Sequence, residues 1–328
     1  MNIRAAIGWK LRNASYRLVP TLARSKASRL SQNFLLQGSG RSGTTWVAET
    51  LAKLMQAVWL DEPLKNSNSK DLQAMGFSGW GEYLPTSSSH PEAEDFFRQL
   101  LLRQNYNPNW TRASALRIAR SEAVLHKFIR AQFLLPWLME QYPQLPPALL
   151  LIRNPYAVVG SQLSHPGWGK GLPLQLDQPV IPPQEGNNRE LYAPWADLFA
   201  SCHYRDEIYA LRWAIENKHL LDFHRSQPER SILMAYEQLL EAPEQHYTTI
   251  YQRWFPGQQP DFSRVSFNKT SKSGTEGTAG EQTAASIRRR IAEPGQEERI
   301  TAILRATGMG DLYQYNATTG EYDLHLSP

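Results

Sequence analysis

The stretch Asn33-Phe34-Leu35-Leu36-Gln37-Gly38-Ser39-Gly40-Arg41-Ser42-Gly43-Thr44-Thr45-Trp46 decides the fold. Asn33–Gln37 is a short, mostly apolar run, as a buried strand requires, and it enters a turn holding Gly38, Gly40 and Gly43. From Thr44 to Val58 the residues Trp46, Val47, Leu51, Leu54, Met55 and Val58 recur on one helical face. A strand, a Gly-rich turn and a helix in succession form the setting of a phosphate-binding loop. Glycines let backbone N–H groups turn inward on an anion, and the helix N-terminus adds partial positive charge. Thr44 and Thr45 can donate hydroxyls to phosphate oxygens. In the nucleotide triphosphatase loop, G-x-x-x-x-G-K-[ST], a lysine follows the last glycine. Here Thr44 holds that place and the cation is Arg41, three residues upstream. The loop is suited to a phosphate and poorly suited to a Mg-bound triphosphate.

Around this unit, strands alternate with helices. Ala123–Phe128, Ala148–Arg153 and Ile232–Ala235 have strand character; residues 92–106, 133–142, 206–223, 243–254 and a stretch within 286–306 have helical character. Leu149-Leu150-Leu151-Ile152 is a continuous apolar run, typical of a parallel strand covered on both faces. The pattern predicts an α/β protein of three layers, a P-loop-like fold with a central parallel sheet flanked by helices. Residues 64–90 and the Pro- and Gly-rich residues 165–195 are expected as long loops, the second an ordered loop or lid. The predicted organisation is a basic arm over 1–31, one domain over 32–315 with the long loop inside 165–200, and a tail over 316–328.

Composition narrows the classes. The 328 residues are 41% hydrophobic and 20% charged, which excludes wholesale disorder. A single cysteine excludes a disulfide framework and any cysteine-built zinc or iron–sulfur centre. Cys202 and His203 with His219 and His224 lack the spacing of a metal set. Residues 1–31 carry seven cations and no carboxylate, so removing them from the net charge of +4 leaves −3 for the remainder. The body is therefore not a basic nucleic-acid surface. The arm has three readings: a solvated tail, peripheral contact with an anionic membrane, or a transit peptide. No stretch approaches the ~20 apolar residues of a membrane helix, and a cytoplasmic, membrane-peripheral location is expected.

A second motif follows the strand at 148–153. Arg153-Asn154-Pro155 places an arginine at the carboxyl end of a buried strand, where ligands bind in open parallel sheets. Pro155 suits the first turn of a helix. Ser161 lies eight residues beyond Arg153, about two turns along that helix. The two side chains can converge on one phosphate, a guanidinium fork and a hydroxyl.

Together the motifs resemble those of sulfotransferases that use 3′-phosphoadenosine-5′-phosphosulfate (PAPS). In that family P-[KR]-S-G-T-T-W holds the 5′-phosphosulfate, and R-[DN]-P-x-x-x-x-x-S holds the 3′-phosphate. Gly40 stands where proline is usual. The resemblance implies cofactor contacts from Arg41, Ser42, Gly43, Thr44, Thr45 and Trp46, and from Arg153 and Ser161. Tyr236-Glu237-Gln238-Leu239 resembles the family's Y-E-D-L, whose tyrosine lies near adenine. Lys272, Ser273 and Gly274 fall where the family has a late loop over the 3′-phosphate, although the usual pattern there is broken. No metal is implied, and the product is 3′-phosphoadenosine-5′-phosphate (PAP).

The resemblance further implies in-line sulfuryl transfer to an acceptor hydroxyl of a small molecule or glycan, with Arg41 stabilising leaving-group charge. The general base is Glu62, in a Glu62-Pro63 element similar to that of carbohydrate-directed members, or His126. Lys127 is available to sulfate or acceptor. Trp168, Tyr192 and Trp195 lie in the segment expected to line the acceptor cleft. A nucleotide kinase or NTPase, and a non-catalytic nucleotide-binding protein, are the alternatives.

Overall fold

The computed structural model describes residue 15 and residues 30–65, 70–77, 81–104, 107, 109–111, 113–182, 186–267, 290–316 and 321–325. Nearly all of the arm 1–31, and Lys272, Ser273 and Gly274, lie outside the described residues. Five parallel strands form the central sheet: β1 (Asn33–Gly38), β2 (Val58–Asp61), β3 (Val124–Phe128), β4 (Ala148–Ile152) and β5 (Ser231–Ala235). Their order is β2-β3-β1-β4-β5. The main helices are α1 (Thr44–Leu54), α2 (Pro91–Leu101), α3 (Leu135–Gln141), α4 (Pro155–Leu163), α5 (Arg205–Ser226), α6 (Tyr236–Glu241), α7 (Pro243–Trp254) and α8 (Gln296–Ala306). The fold is α/β, with helices on both faces of the sheet.

The alternation of β1 sorts the layers. Phe34 and Leu36 pack with Trp46, Val47 and Leu51 of α1 and with Tyr247, Ile250 and Trp254 of α7. Leu35 points the other way, to a core with Phe97 of α2, Trp137 of α3 and Phe223 of α5. All six residues of β1 are buried, because the middle strand of a parallel sheet has no solvated face. A third cluster joins Tyr156 and Val159 of α4 to Trp213 of α5 and Ile300 of α8.

Strand order fixes where a ligand can lie. From β1 the chain leaves through α1 toward the β2 edge; from β4 it leaves through α4 toward β5. Adjacent strands whose exits diverge leave a crevice at their carboxyl ends. Gly38 is in register with Leu151, so the loops after β1 and β4 open side by side into that crevice.

Two elements depart from the sequence expectation. The first helix stops at Leu54, and Val58 opens β2, an edge strand that apolar periodicity had absorbed into the helix. Met55 and Val58 continue the helical spacing, and the turn uses neither Gly nor Pro; Gln56 itself takes the left-handed conformation, φ 53°. At the C-terminus, strands β6 (Tyr313–Asn316) and β7 (Glu321–Leu324) form an antiparallel hairpin across the expected tail boundary. Tyr322 stacks on Tyr156 of α4 at 4.9 Å, and its hydroxyl donates to Glu297 of α8.

Asp206, completely buried at the start of α5, ties α8 in place. It accepts two hydrogen bonds from Arg299, at 3.2 and 2.6 Å, and the guanidinium also covers the Tyr204 ring. Removing one member of such a pair strands the other charge. Asp206→Ala should lower stability by about 3 kcal/mol, read as the shift in a urea unfolding midpoint.

Candidate functional site

The loop after β1 is shaped by backbone first. Arg41 and Gly43 both have positive φ, 75° and 91°, and Gly43 caps α1 from the left-handed region. A β-carbon at Gly43 would come within 2.3 Å of the Tyr236 ring, so this position needs glycine for both conformation and space. At Gly40 a β-carbon would meet the Trp168 indole at 2.3 Å. The absence of a side chain at residue 40 is therefore matched by an indole from the 165–195 segment. Ser42 Oγ donates to Ser39 O at 2.6 Å, which closes the turn and directs this hydroxyl inward. The first N–H groups of α1 have no carbonyl partner within their own helix and sit at its positive end.

The second motif meets the first. Asn154 caps α4, its side chain accepting from Ala157 N at 3.1 Å, and Pro155 opens the helix as its fixed φ favours. Arg153, buried at the exit of β4, donates from Nη1 to the Arg41 carbonyl at 2.8 Å. Arg41 Nε donates to Ser161 Oγ at 3.1 Å, and Gln162 Nε2 to the Gly40 carbonyl at 3.0 Å. Arg41 thus shares one small region with Arg153 and Ser161, although it lies more than a hundred residues from either in the chain.

Tyr236, first residue of α6, forms the floor. The Arg153 guanidinium lies 4.7 Å from its ring centre, and Trp46 meets it edge-on at 5.8 Å. Trp46 itself is buried beneath the loop, where it supports Tyr236 and faces Tyr247. Glu237 accepts from Asn154 N at 3.0 Å and from the Tyr313 hydroxyl at 3.1 Å, holding the exit of β4 in place.

Sequence reasoning missed Arg290. Its field acts on Arg41, Arg153 and Tyr236, and its β-carbon lies 2.8 Å from where one would stand on Gly160 of α4. Nothing in its local pattern, Arg288-Arg289-Arg290, distinguishes one cation of that run from the next. Burial first, then Arg153 and Arg290, lower the pKa of Arg41; burial foremost, with Arg290 also contributing, lowers that of Arg153. Arginine stays charged through such shifts. Three mutually repelling guanidinium groups around one loop create a strong preference for an anion.

On the other side of the loop lies Glu62, one residue past β2, with positive φ of 55°. Its carboxylate is buried, 3.2 Å from Arg130 Nη1 and 3.6 Å from Lys127 Nζ. Lys127 also contacts Asp61 Oδ1 at 2.6 Å and donates to Thr45 Oγ1 at 3.4 Å. It therefore bridges the phosphate loop and the carboxylate pair. Burial raises the pKa of Glu62 to about 7, against the opposing pull of Lys127 and Arg130. A carboxyl poised near neutrality suits proton transfer at physiological pH.

His126 is not part of this arrangement. Side chains alternate along β3, so Lys127 faces α1 while His126, its neighbour, points through the sheet. There it is completely buried, its Nε2 2.9 Å from Asn33 Oδ1 and its ring stacked with Phe128. Burial, then Arg103, lowers its pKa to about 3. An inaccessible imidazole of that kind cannot exchange protons with a bound alcohol, which corrects its expected role as an alternative base.

The two long loops are joined near the site. Asn188 accepts from Tyr83 N at 2.9 Å and donates to Glu82 at 3.0 Å; Tyr192, also buried, packs against Phe133. The 165–195 segment is not structureless, since Gly186–Tyr192 is helical. Among the described residues no group of three or more His, Cys, Asp or Glu could hold a metal ion, and no helix is long and apolar enough to cross a membrane.

No protein-family model matches the chain, and no curated protein matches it. Among solved structures it is similar to the sulfotransferase domain of the Synechococcus PCC 7002 olefin synthase, at 16% identity and TM-score 0.44, covering 84% of this chain and 94% of that one. It is also similar to a sulfotransferase from Alicyclobacillus acidocaldarius, at 15% identity and TM-score 0.36, covering 83% and 95%. Retinol dehydratase in a complex with retinol and PAP aligns at 11% identity and TM-score 0.41, covering 87% of this chain and 85% of that one.

Proposed function

We propose that the protein is a sulfotransferase that moves a sulfuryl group from PAPS to the hydroxyl of a small-molecule or glycan acceptor. The observation that carries this reading is the meeting of the two anion-binding motifs: Arg153 bonds the backbone of Arg41, and Arg41 bonds Ser161. A nucleotide with phosphates on both the 5′ and 3′ positions has use for both motifs. A triphosphate nucleotide does not, and Thr44 in place of the usual lysine weighs further against it.

Bound PAPS supplies the sulfuryl group and a phosphate leaving group. Arg41 and the N–H groups at the start of α1 hold the 5′ end and meet charge developing on the leaving oxygen. Arg153, Ser161 and Arg290 hold the 3′-phosphate, with Tyr236 beside the nucleoside. Lys127 places a cation next to Thr45, on the side where transfer occurs. Glu62 accepts the acceptor hydroxyl proton. The acceptor enters beside Glu62, and its class is a carbohydrate, glycolipid or natural-product alcohol.

Calorimetric titration tests the nucleotide assignment directly. PAP should bind at least 10-fold more tightly than ATP with Mg²⁺, a difference of about 1.4 kcal/mol. Equal or tighter binding of ATP with Mg²⁺ would overturn the reading in favour of an NTPase or kinase.

A further inference from the structure

Glu62 owes its orientation to a neighbour outside the phosphate cradle. Of its two cationic contacts, Lys127 has a closer partner in Asp61, at 2.6 Å against 3.6 Å. Arg130 is the nearer cation, 3.2 Å from Oε2. On α5, Glu216 is buried and hydrogen-bonded to the Ser39 hydroxyl, with Arg212 the foremost cation acting on it and Arg130 contributing less. Asn217, next on the helix, donates to the same hydroxyl at 2.9 Å. Ser39 is the first residue after β1, so α5 grips the root of the loop that follows. A guanidinium suits this place, since its planar fork fixes the orientation of a carboxylate and a lysine ammonium is a single point of charge.

We infer that Arg130 is a positioning residue: paired with Glu62, it fixes the Glu62 carboxylate in space beside the loop after β1. The inference rests on Glu62 being the proton acceptor. Arg130 pairs with Glu62, while Arg153 and Ser161 engage Arg41, so removing Arg130 should leave nucleotide affinity intact. The groups facing Glu62 are Asp61 from its own strand end, Lys127 from β3, Arg130, and the Ile129 N–H. Losing Arg130 removes one of the two cations that favour the charged carboxylate, so Glu62 should hold its proton to higher pH.

The experiment compares the full-length protein with Arg130→Met and Arg130→Lys. The Glu62 carboxyl is titrated by infrared difference spectroscopy, with Glu62→Gln identifying its band, alongside PAP binding and the pH dependence of sulfuryl transfer. Arg130→Met should move the Glu62 midpoint upward by about one pH unit, lower kcat at pH 7 by ~10-fold or more and leave PAP affinity within about twofold. Arg130→Lys should return the midpoint toward its original value while recovering only part of kcat, because charge is restored without the fork; it also serves if the methionine variant does not fold. An unchanged Glu62 midpoint in Arg130→Met, or full kcat in both variants, overturns the inference. The infrared titration needs no acceptor, so it decides the Arg130–Glu62 coupling even if transfer is absent. Failure of the function reading would appear separately, as ATP with Mg²⁺ binding as tightly as PAP or tighter, and failure of the Glu62 assignment as a Glu62→Gln variant that transfers at the full rate.

Discussion

Replacing Arg153 by alanine should weaken PAP binding by about 100-fold, roughly 3 kcal/mol, the cost of removing a buried charged donor from an anion. The same variant should bind adenosine-5′-phosphosulfate within about fivefold of the unaltered protein, since that nucleotide lacks the 3′-phosphate. The contrast between the two ligands matters because Arg153 has a structural duty as well. It bonds the Arg41 carbonyl and lies over Tyr236, so a general collapse of the loop would weaken both nucleotides alike. Calorimetry on the pair separates these outcomes: equal losses would mean that Arg153 only braces the loop.

The second large effect is expected at Glu62. Glu62→Gln should lower kcat by about 10²- to 10⁴-fold, the usual contribution of a positioned proton acceptor, with PAP affinity nearly unchanged. In the unaltered protein, transfer should rise with pH through about 7, where Glu62 loses its proton. The sign for stability is the reverse. The folded protein binds the Glu62 proton more tightly than the unfolded chain does, since burial raises its pKa from 4.5 to about 7. The stability linked to that proton is fully present below the ordinary carboxylate range and is lost as pH rises through about 7. Glu62→Gln should therefore melt above the unaltered protein at pH 8 and together with it at pH 4. A variant that loses activity while gaining thermal stability would show that the buried charge is kept at a cost. An unimpaired rate would remove Glu62 from the mechanism.

The parts of this site that could be read from sequence are those where backbone constraint and chemistry coincide locally. Gly38 to Trp46 and Arg153 to Ser161 announce themselves because a glycine turn or a proline-opened helix must follow a buried strand at a fixed spacing. What sequence could not show is which strand lies beside which. The pairing of Gly38 with Leu151 brings the two motifs together, and that register is a property of the whole sheet. That Lys127 and not His126 reaches the loop turns on strand parity, a one-residue matter that propensity cannot resolve. β2 was hidden by apolar spacing that continues past the end of α1. Arg290 and Arg130 gain their meaning only from partners distant in the chain, Arg290 near Arg41 and Arg153, and Arg130 against Glu62.

The hairpin of β6 and β7 is tied to the proposed nucleotide cleft. Tyr313 reaches Glu237, and Glu237 in turn holds the peptide of Asn154, directly after the arginine that the 3′-phosphate would meet. The hairpin thus works as a buttress for the proposed binding pocket. Fusions or deletions made there for convenience would be transmitted inward and felt as altered nucleotide affinity.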